Sequence, residues 1–377
     1  MALLFIRAIP KHLESAKTDT ITCMQTKIRA SAPAKVILFG EHFVVYGKRA
    51  LATAIDRRLT VEACSREKRG YHVTIENIPT FGLELDLDAR TGAEQKVRPY
   101  KDYSTAANAL AYVRSSVAYL EERYGIGNEG VELTITSEIP LSAGLGSSAA
   151  TCVATIAALN AYFGVKSDLE TIRRDAHHVE LLVQGAASPI DTAISTHGGY
   201  VLVERGEVKQ VQLPELELLV GSVGSIPLSM GTAKAVDLGL KTKALVAGVR
   251  ARRELFPRIF EALFNAADEL TTEAIPAIEK GDLTRVGALM NLNHGLLEAI
   301  GVVPRRLSEL VKVSQELGAL GAKVTGAGGS DELGGVGSVL VLPGESREKI
   351  KTAVELEGAL AMPVMTGGEG LRIEAGT

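Results

Sequence analysis

The stretch PLSAGLGSSAATCVATIAALN, Pro140 to Asn160, runs from a glycine-containing loop directly into an alanine-rich apolar segment. Amides at a helix start lack intrahelical partners, and the helix macrodipole adds positive potential there, so such a junction is an anion site. Gly144 and Gly146 let phosphate oxygens approach the main chain. Ser147 and Ser148 fall at the predicted helix start, where a hydroxyl caps the helix, donates to phosphate or ligates magnesium. A capped helix after an ordinary turn reads the same way from GLGSS alone. The segment has neither the GK[ST] ending of a Walker A loop nor the GxGxxG of a dinucleotide fold, so a nucleotide site here belongs to another lineage.

Upstream, KVILFG (35–40), LTVEAC (59–64) and VELTIT (131–136) are strand-like. Ser104 to Arg123 and Ser147 to Phe163 read as buried helices, and Leu169 to Gln184 as a helix capped by Ser167 or Asp168. Downstream, Lys241 to Leu263 predicts a helix kinked or broken at Pro257, and Arg285 to Ile300 another. A glycine-rich loop then feeds the strand SVLVL. The reading is mixed α and β with two domains, 24–213 and 214–377, divided near Pro214. Residues 1–23 are read as an N-terminal extension or an upstream start-codon choice, since Met24 sits just before a strand-like stretch, Lys27 to Ala32.

With 377 residues, 46% apolar and 23% charged, the chain has ordinary globular composition and length for two domains. A net charge of −4, no Trp and few aromatics exclude a basic, base-stacking surface, so no nucleic-acid partner is expected. The apolar run at the start is too short to span a membrane and lacks a signal-peptide cleavage pattern, so no membrane partner is expected. Cys23, Cys64 and Cys152 form no CxxC pair, which fits neither a disulfide framework nor zinc and points to a reducing cytoplasm. His177, His178 and Glu180 lie close together without HExxH spacing, so zinc is not expected there either.

Three ordered segments resemble the GHMP kinases, the superfamily of galactokinase, homoserine kinase and mevalonate kinase. SAPAKVILFGEHFVVYG (31–47) is similar to the first motif, PLSAGLGSSAA (140–150) to the second, and GAKVTGAGG (321–329) to the third. The first motif, with KTKALVAGVR (241–250) and LMNLNHGLLEAIGV (289–302), resembles the mevalonate kinase form. The resemblance implies an α+β, two-domain fold: an N-terminal domain like ribosomal protein S5 domain 2 and a C-terminal ferredoxin-like domain, with the site in the cleft between them. It implies transfer of a phosphoryl group from ATP, with Mg²⁺, to mevalonate. A homodimer is left open as the assembly.

The roles that the resemblance implies map onto particular residues. The ATP loop comprises Pro140, Leu141, Ser142 and Ala143 leading in, Gly144, Leu145 and Gly146 at the turn, and Ser147, Ser148, Ala149 and Ala150 opening the helix. Asp191 and Lys35 are the catalytic pair. Glu180, placed 11 residues before Asp191 as in the family, joins Ser148 as a magnesium ligand. Glu41, His42 and Thr242 contact the acceptor. Read without the family, Asp191 caps a helix after a proline turn, Lys35 is a solvated strand residue and Glu180 an exposed helix carboxylate.

The third motif departs from the family pattern. GAGGGG is replaced by GAGGSDELGGVG, which inserts Asp331 and Glu332 beside a loop expected near the phosphates, where negative charge is unfavourable unless directed elsewhere. Two alternatives stand beside mevalonate phosphorylation. One is a GHMP kinase for another alcohol such as phosphomevalonate, for which Lys48 and Arg49 would supply cations. The other is a catalytically silent GHMP-fold binding protein.

Overall fold

The computed structural model describes residues 2–9, 27–78, 81–87, 93–96, 103–127, 129–140, 143–185, 187–224 and 238–375. Its larger sheet is built from β1 (Ala2–Ile9), β2 (Ile28–Phe39), β3 (Ala50–Arg66), β4 (Gly70–Ile78), β5 (Phe81–Leu87), β6 (Ala93–Lys96), β7 (Gly130–Ser137), β8 (Tyr200–Glu204) and β9 (Glu207–Val211). The smaller contains β10 (Glu217–Val223), β11 (Gly321–Thr325), β12 (Gly337–Leu342) and β13 (Leu360–Met365), in the antiparallel order β11-β12-β10-β13. A last strand, β14 (Arg372–Ala375), returns to the first sheet and pairs with β2. The larger sheet runs β14-β2-β3-β7-β4-β5-β1-β6, with β8 on β3 and β9 on β8.

Four helices back the first sheet: α1 (Tyr103–Tyr124), α2 (Ser147–Tyr162), α3 (Leu169–Gln184) and α4 (Pro189–His197). Every residue of α2 from Ala149 to Asn160 is buried, because the helix packs on β2 and β3 and is flanked by α1 and α3. A helix enclosed on all sides needs no polar face, which is why its sequence carries no charged residue. Asp168 caps α3 by accepting the Thr171 amide at 2.7 Å. Ser188 caps α4, with Pro189 at its first position.

The second sheet carries α5 (Leu238–Leu255), α6 (Pro257–Glu279), α7 (Leu283–Ala299), α8 (Arg305–Glu316) and α9 (Arg347–Leu356). Pro257 breaks the predicted long helix outright and becomes the first residue of α6, where its missing N–H costs nothing. A second apolar core gathers Phe43, Phe264, Leu310, Val324 and Val341. Phe43 comes from the first motif, so that core reaches across the domain boundary.

Two strand pairings bear on the expected boundaries. Residues 2–9 of the proposed extension pair with β5 and β6. The chain after Pro214 is not all in the second unit, because β14 crosses back; its four exposed residues, Arg372 to Ala375, carry too little apolar pattern to announce a strand.

Candidate active site

The loop before α2 is braced from both domains. The Lys35 amide donates to Leu145 O at 2.9 Å, and Ser338 Oγ from β12 donates to Ala143 O at 2.6 Å. Gly146, the N-cap of α2, has φ +75°, a conformation open to glycine at little cost. A Cβ there would fall 2.8 Å from Lys35 Cγ, so the lysine stem lies directly across the loop. Gly326 of the third motif comes as near: its Cβ would meet Gly144 O at 3.2 Å. Pro140 and Ala143 to Gly146 form the loop and Ser147 to Ala150 the first turn of α2, whereas Leu141 and Ser142 lie outside the described residues.

Lys35 Nζ is 3.1 Å from Asp191 Oδ1. The lysine side chain is 6% exposed and the aspartate 26%, so the pair sits at the edge of the solvent with the cation inside. Asp191 occupies the third position of α4, where the helix dipole favours a carboxylate. The capping task belongs to Ser188 instead, which leaves the Asp191 carboxylate for Lys35.

Glu180 is buried, not an exposed helix carboxylate. Its Oε1 accepts from Ser148 Oγ at 2.8 Å, and its buried Oε2 has no partner. Burial first, and the nearby Asp191 charge second, push its carboxyl up to about 8, against the opposing pull of Ser148 and Lys35. An orphaned buried oxygen beside a serine hydroxyl and a second carboxylate is a donor set that fits Mg²⁺, which takes few protein ligands and keeps several waters. Tyr112 from α1 joins this group near Ser148 and Gln184, and burial raises its phenol to about 12. Among the described residues no group of three or more His, Cys, Asp or Glu is placed to hold a metal ion.

The residues assigned to the acceptor are arranged differently. Glu41 is fully buried, paired through Oε1 with Lys323 Nζ and through Oε2 with Asn293 Nδ2 at 3.1 Å. Burial pulls the Lys323 ammonium down, and Glu41 draws it back up. His42 Nε2 donates to Ala327 O at 2.8 Å, and burial lowers the imidazole's proton affinity. His42 holds φ +53° and ψ −42°, a backbone strain on the order of 1–3 kcal/mol that surrounding contacts must hold in place. Thr242 is exposed on α5, and its neighbour Lys243 donates to Gln184 O at 2.8 Å at the end of α3.

Lys323, Asn293, Tyr112 and Ser338 were not singled out from the sequence. Lys323 and Asn293 lie inside quoted motifs, and Lys323 shares its strand face with Thr325, two residues on, which donates to Ile37 O at 2.9 Å. Tyr112 carried no sequence signal. Lys48 and Arg49 prove to be engaged: Lys48 with Glu261 and Asn265, Arg49 with Glu204 and Asp268. Asp331 of the insertion accepts the Arg305 amide at 3.0 Å at the start of α8. Gly328 keeps a positional demand despite the altered motif, since with φ +66° a Cβ would strike Val302 O at 2.1 Å.

Residues 111–199 match the GHMP kinases N terminal domain and residues 274–355 the GHMP kinases C terminal domain. The chain is 40% identical over 353 residues to a mevalonate kinase of Thermococcus sibiricus, covering 92% of this chain and 98% of that one. It is 41% identical over 352 residues to the mevalonate kinase of Pyrococcus horikoshii, with the same coverage. The crystal structure of L. major mevalonate kinase in complex with R-mevalonate superposes with a TM-score of 0.71 at 24% identity, over 92% of this chain and 97% of that one, and so shares the fold. With curated relatives this similar along nearly its whole length, the chain belongs to the mevalonate kinase family of the GHMP kinases.

Proposed function

We propose that the chain transfers the terminal phosphoryl group of ATP to the hydroxyl of mevalonate, giving 5-phosphomevalonate and ADP. The observation that carries this reading is the Lys35 stem lying across Gly146 with its ammonium paired to Asp191, in a chain so similar to mevalonate kinases. Phosphoryl transfer needs aligned reactants and neutralised charge more than covalent help.

The amides and hydroxyls of Gly146 to Ser148 hold the phosphates at the start of α2. Lys35 reaches the same place from β2, holds Asp191 by one oxygen and lowers the cost of negative charge on the attacking oxygen. Asp191 orients the acceptor hydroxyl and takes its proton as the oxygen–phosphorus bond forms and the bond to the ADP oxygen breaks. Glu180 and Ser148 would hold Mg²⁺, which when bound supplies positive charge against the phosphoryl oxygens. His42 and Thr242 line the acceptor side.

Phosphomevalonate is disfavoured as acceptor because Lys48 and Arg49 are committed to ion pairs with α6 and β8 and offer no cation to a second phosphate. A silent binding protein has no use for Lys35, Ser148, Glu180 and Asp191 together. Among the described residues no helix is long and apolar enough to cross a membrane, and neither Cys64 nor Cys152 is in a disulfide, which fits a reducing cytoplasm as the place of action. Monomer and homodimer are distinguished by a mass measurement in solution. The decisive assay supplies ATP with mevalonate or phosphomevalonate and identifies the product by mass. Mevalonate is expected to turn over, and a wide preference for phosphomevalonate would overturn the choice of acceptor.

A further inference from the structure

The first and third motifs are locked together by a buried polar assembly that phosphoryl transfer itself does not require. Lys323 and Thr325 project from one face of β11 onto β2 and the turn after it. Lys323 Nζ donates to Glu41 Oε1 and, at 3.4 Å, to Ile37 O; Thr325 Oγ1 donates to Ile37 O and accepts the Ile37 amide at 3.2 Å. Asn293 from α7 donates to the other Glu41 oxygen. Lys323 and Glu41 are both fully buried, so neither charge is stabilised by water and each depends on the other.

The next residue after Glu41 is the strained His42, whose ring bonds to Ala327 O in the third motif. The third motif in turn abuts the phosphate loop, with Gly326 against Gly144 O and Ser338 on Ala143 O. A continuous set of contacts therefore runs from the loop assigned to the acceptor to the loop assigned to ATP.

We propose that Glu41 is a positioning residue and not an acceptor ligand: gripped by Lys323 and Asn293, it holds His42 in its strained conformation and fixes the acceptor loop to the glycine-rich third motif as one unit. Acceptor and ATP sites are then set by the same clamp, so loosening it weakens both. The inference rests on the kinase reading above for the assignment of the two loops, and goes beyond it in giving Lys323, Asn293 and Glu41 a shared task.

The double variant Glu41→Gln/Lys323→Met tests this in the full chain, because it removes both charges and leaves neither one buried alone. It is expected to fold with near wild-type thermal stability, to raise the KM for both mevalonate and ATP by at least about tenfold, and to weaken equilibrium binding of ATP alone by a similar factor. Hydrogen exchange is expected to quicken together in residues 41–47 and 326–329. A rise in the mevalonate KM alone, with ATP binding and exchange in 326–329 unchanged, would make Glu41 a direct acceptor ligand and overturn the proposal. Wild-type constants for both substrates would reduce the pair to a structural contact and overturn it equally. ATP binding and hydrogen exchange are read without any acceptor, so an error in the choice of mevalonate would show in the turnover assay and leave these outcomes legible.

Discussion

The Lys35 stem passes over Gly146 so closely that only 2.8 Å separates Lys35 Cγ from where a Cβ on residue 146 would stand, which packs the loop proposed to hold phosphate against the pair proposed to act on the acceptor. Gly146→Ala therefore does two things. It places a side chain at φ +75°, at a cost of roughly 1–2 kcal/mol. It also pushes the lysine off its line to Asp191. Stability measured by chemical denaturation is expected to fall by about that amount, while kcat falls about a hundredfold or more, since displacing a reacting group by an ångström has that scale of effect. A variant that loses stability but keeps kcat would mean that the lysine path over the glycine is incidental.

Asp191→Asn keeps the size and helix position of the side chain while removing its charge. The kcat is expected to drop by about 10²–10⁴, the usual contribution of a positioned proton acceptor. The Lys35 ammonium, 6% exposed, loses its anion as well, so the melting temperature should fall and rates must be normalised to folded protein. A kcat within about tenfold of wild type, a barrier change of only ~1.4 kcal/mol, would remove Asp191 from the proton transfer.

Glu180 gives the stability a pH signature. Its carboxyl is pushed up to about 8 in the fold, chiefly by burial, against an ordinary value of 4.5. Between those two values the folded chain binds a proton that the unfolded chain has lost, so this residue makes stability fall as pH rises from 4.5 towards 8. Above the folded value both states are ionised and the loss is complete. Glu180→Gln is expected to flatten that slope and, in chelator, to be more stable than wild type near pH 8 by a few kcal/mol at most, on the order set by the shift. Added Mg²⁺ should raise the wild-type melting temperature and leave that of the variant unchanged. Parallel pH profiles for the two proteins would count against an unpaired buried charge, and an equal magnesium response would count against Glu180 as its ligand.

What the sequence made legible was local. A glycine turn running into an apolar helix announces itself, because turn, cap and enclosed helix are all written in neighbouring residues, and Pro257 marks its break for the same reason. Glu180 and Asp191 required the family pattern, since a helix carboxylate reads as exposed until the elements packed around it are known. Glu41 was named for the acceptor side, but a motif states which residue follows which and not where a turn aims it. The short turn at Phe43–Tyr46 and the arrival of β11 from some 280 residues away decide that Glu41 meets Lys323. Lys48 and Arg49 looked available for the same reason, since their partners on α6 lie more than 200 residues downstream.

The acidic insertion offers the sharpest contrast between sequence and structure. Asp331 lies two residues after Gly329, where a carboxylate would repel a triphosphate if it faced one. Instead its Oδ1 accepts the Arg305 amide at the start of α8, whose own N-cap, Pro304, has no side chain to offer. The negative charge is thereby set against the positive end of a helix. Asp331→Ala is expected to cost about 0.5–2 kcal/mol of stability, as loss of a helix cap does, with kcat and the KM for ATP unchanged. Denaturation and steady-state kinetics on the same preparation separate the two effects. If the variant instead bound ATP more tightly at no cost in stability, the carboxylate would have been acting on the phosphates, and the cap would be secondary.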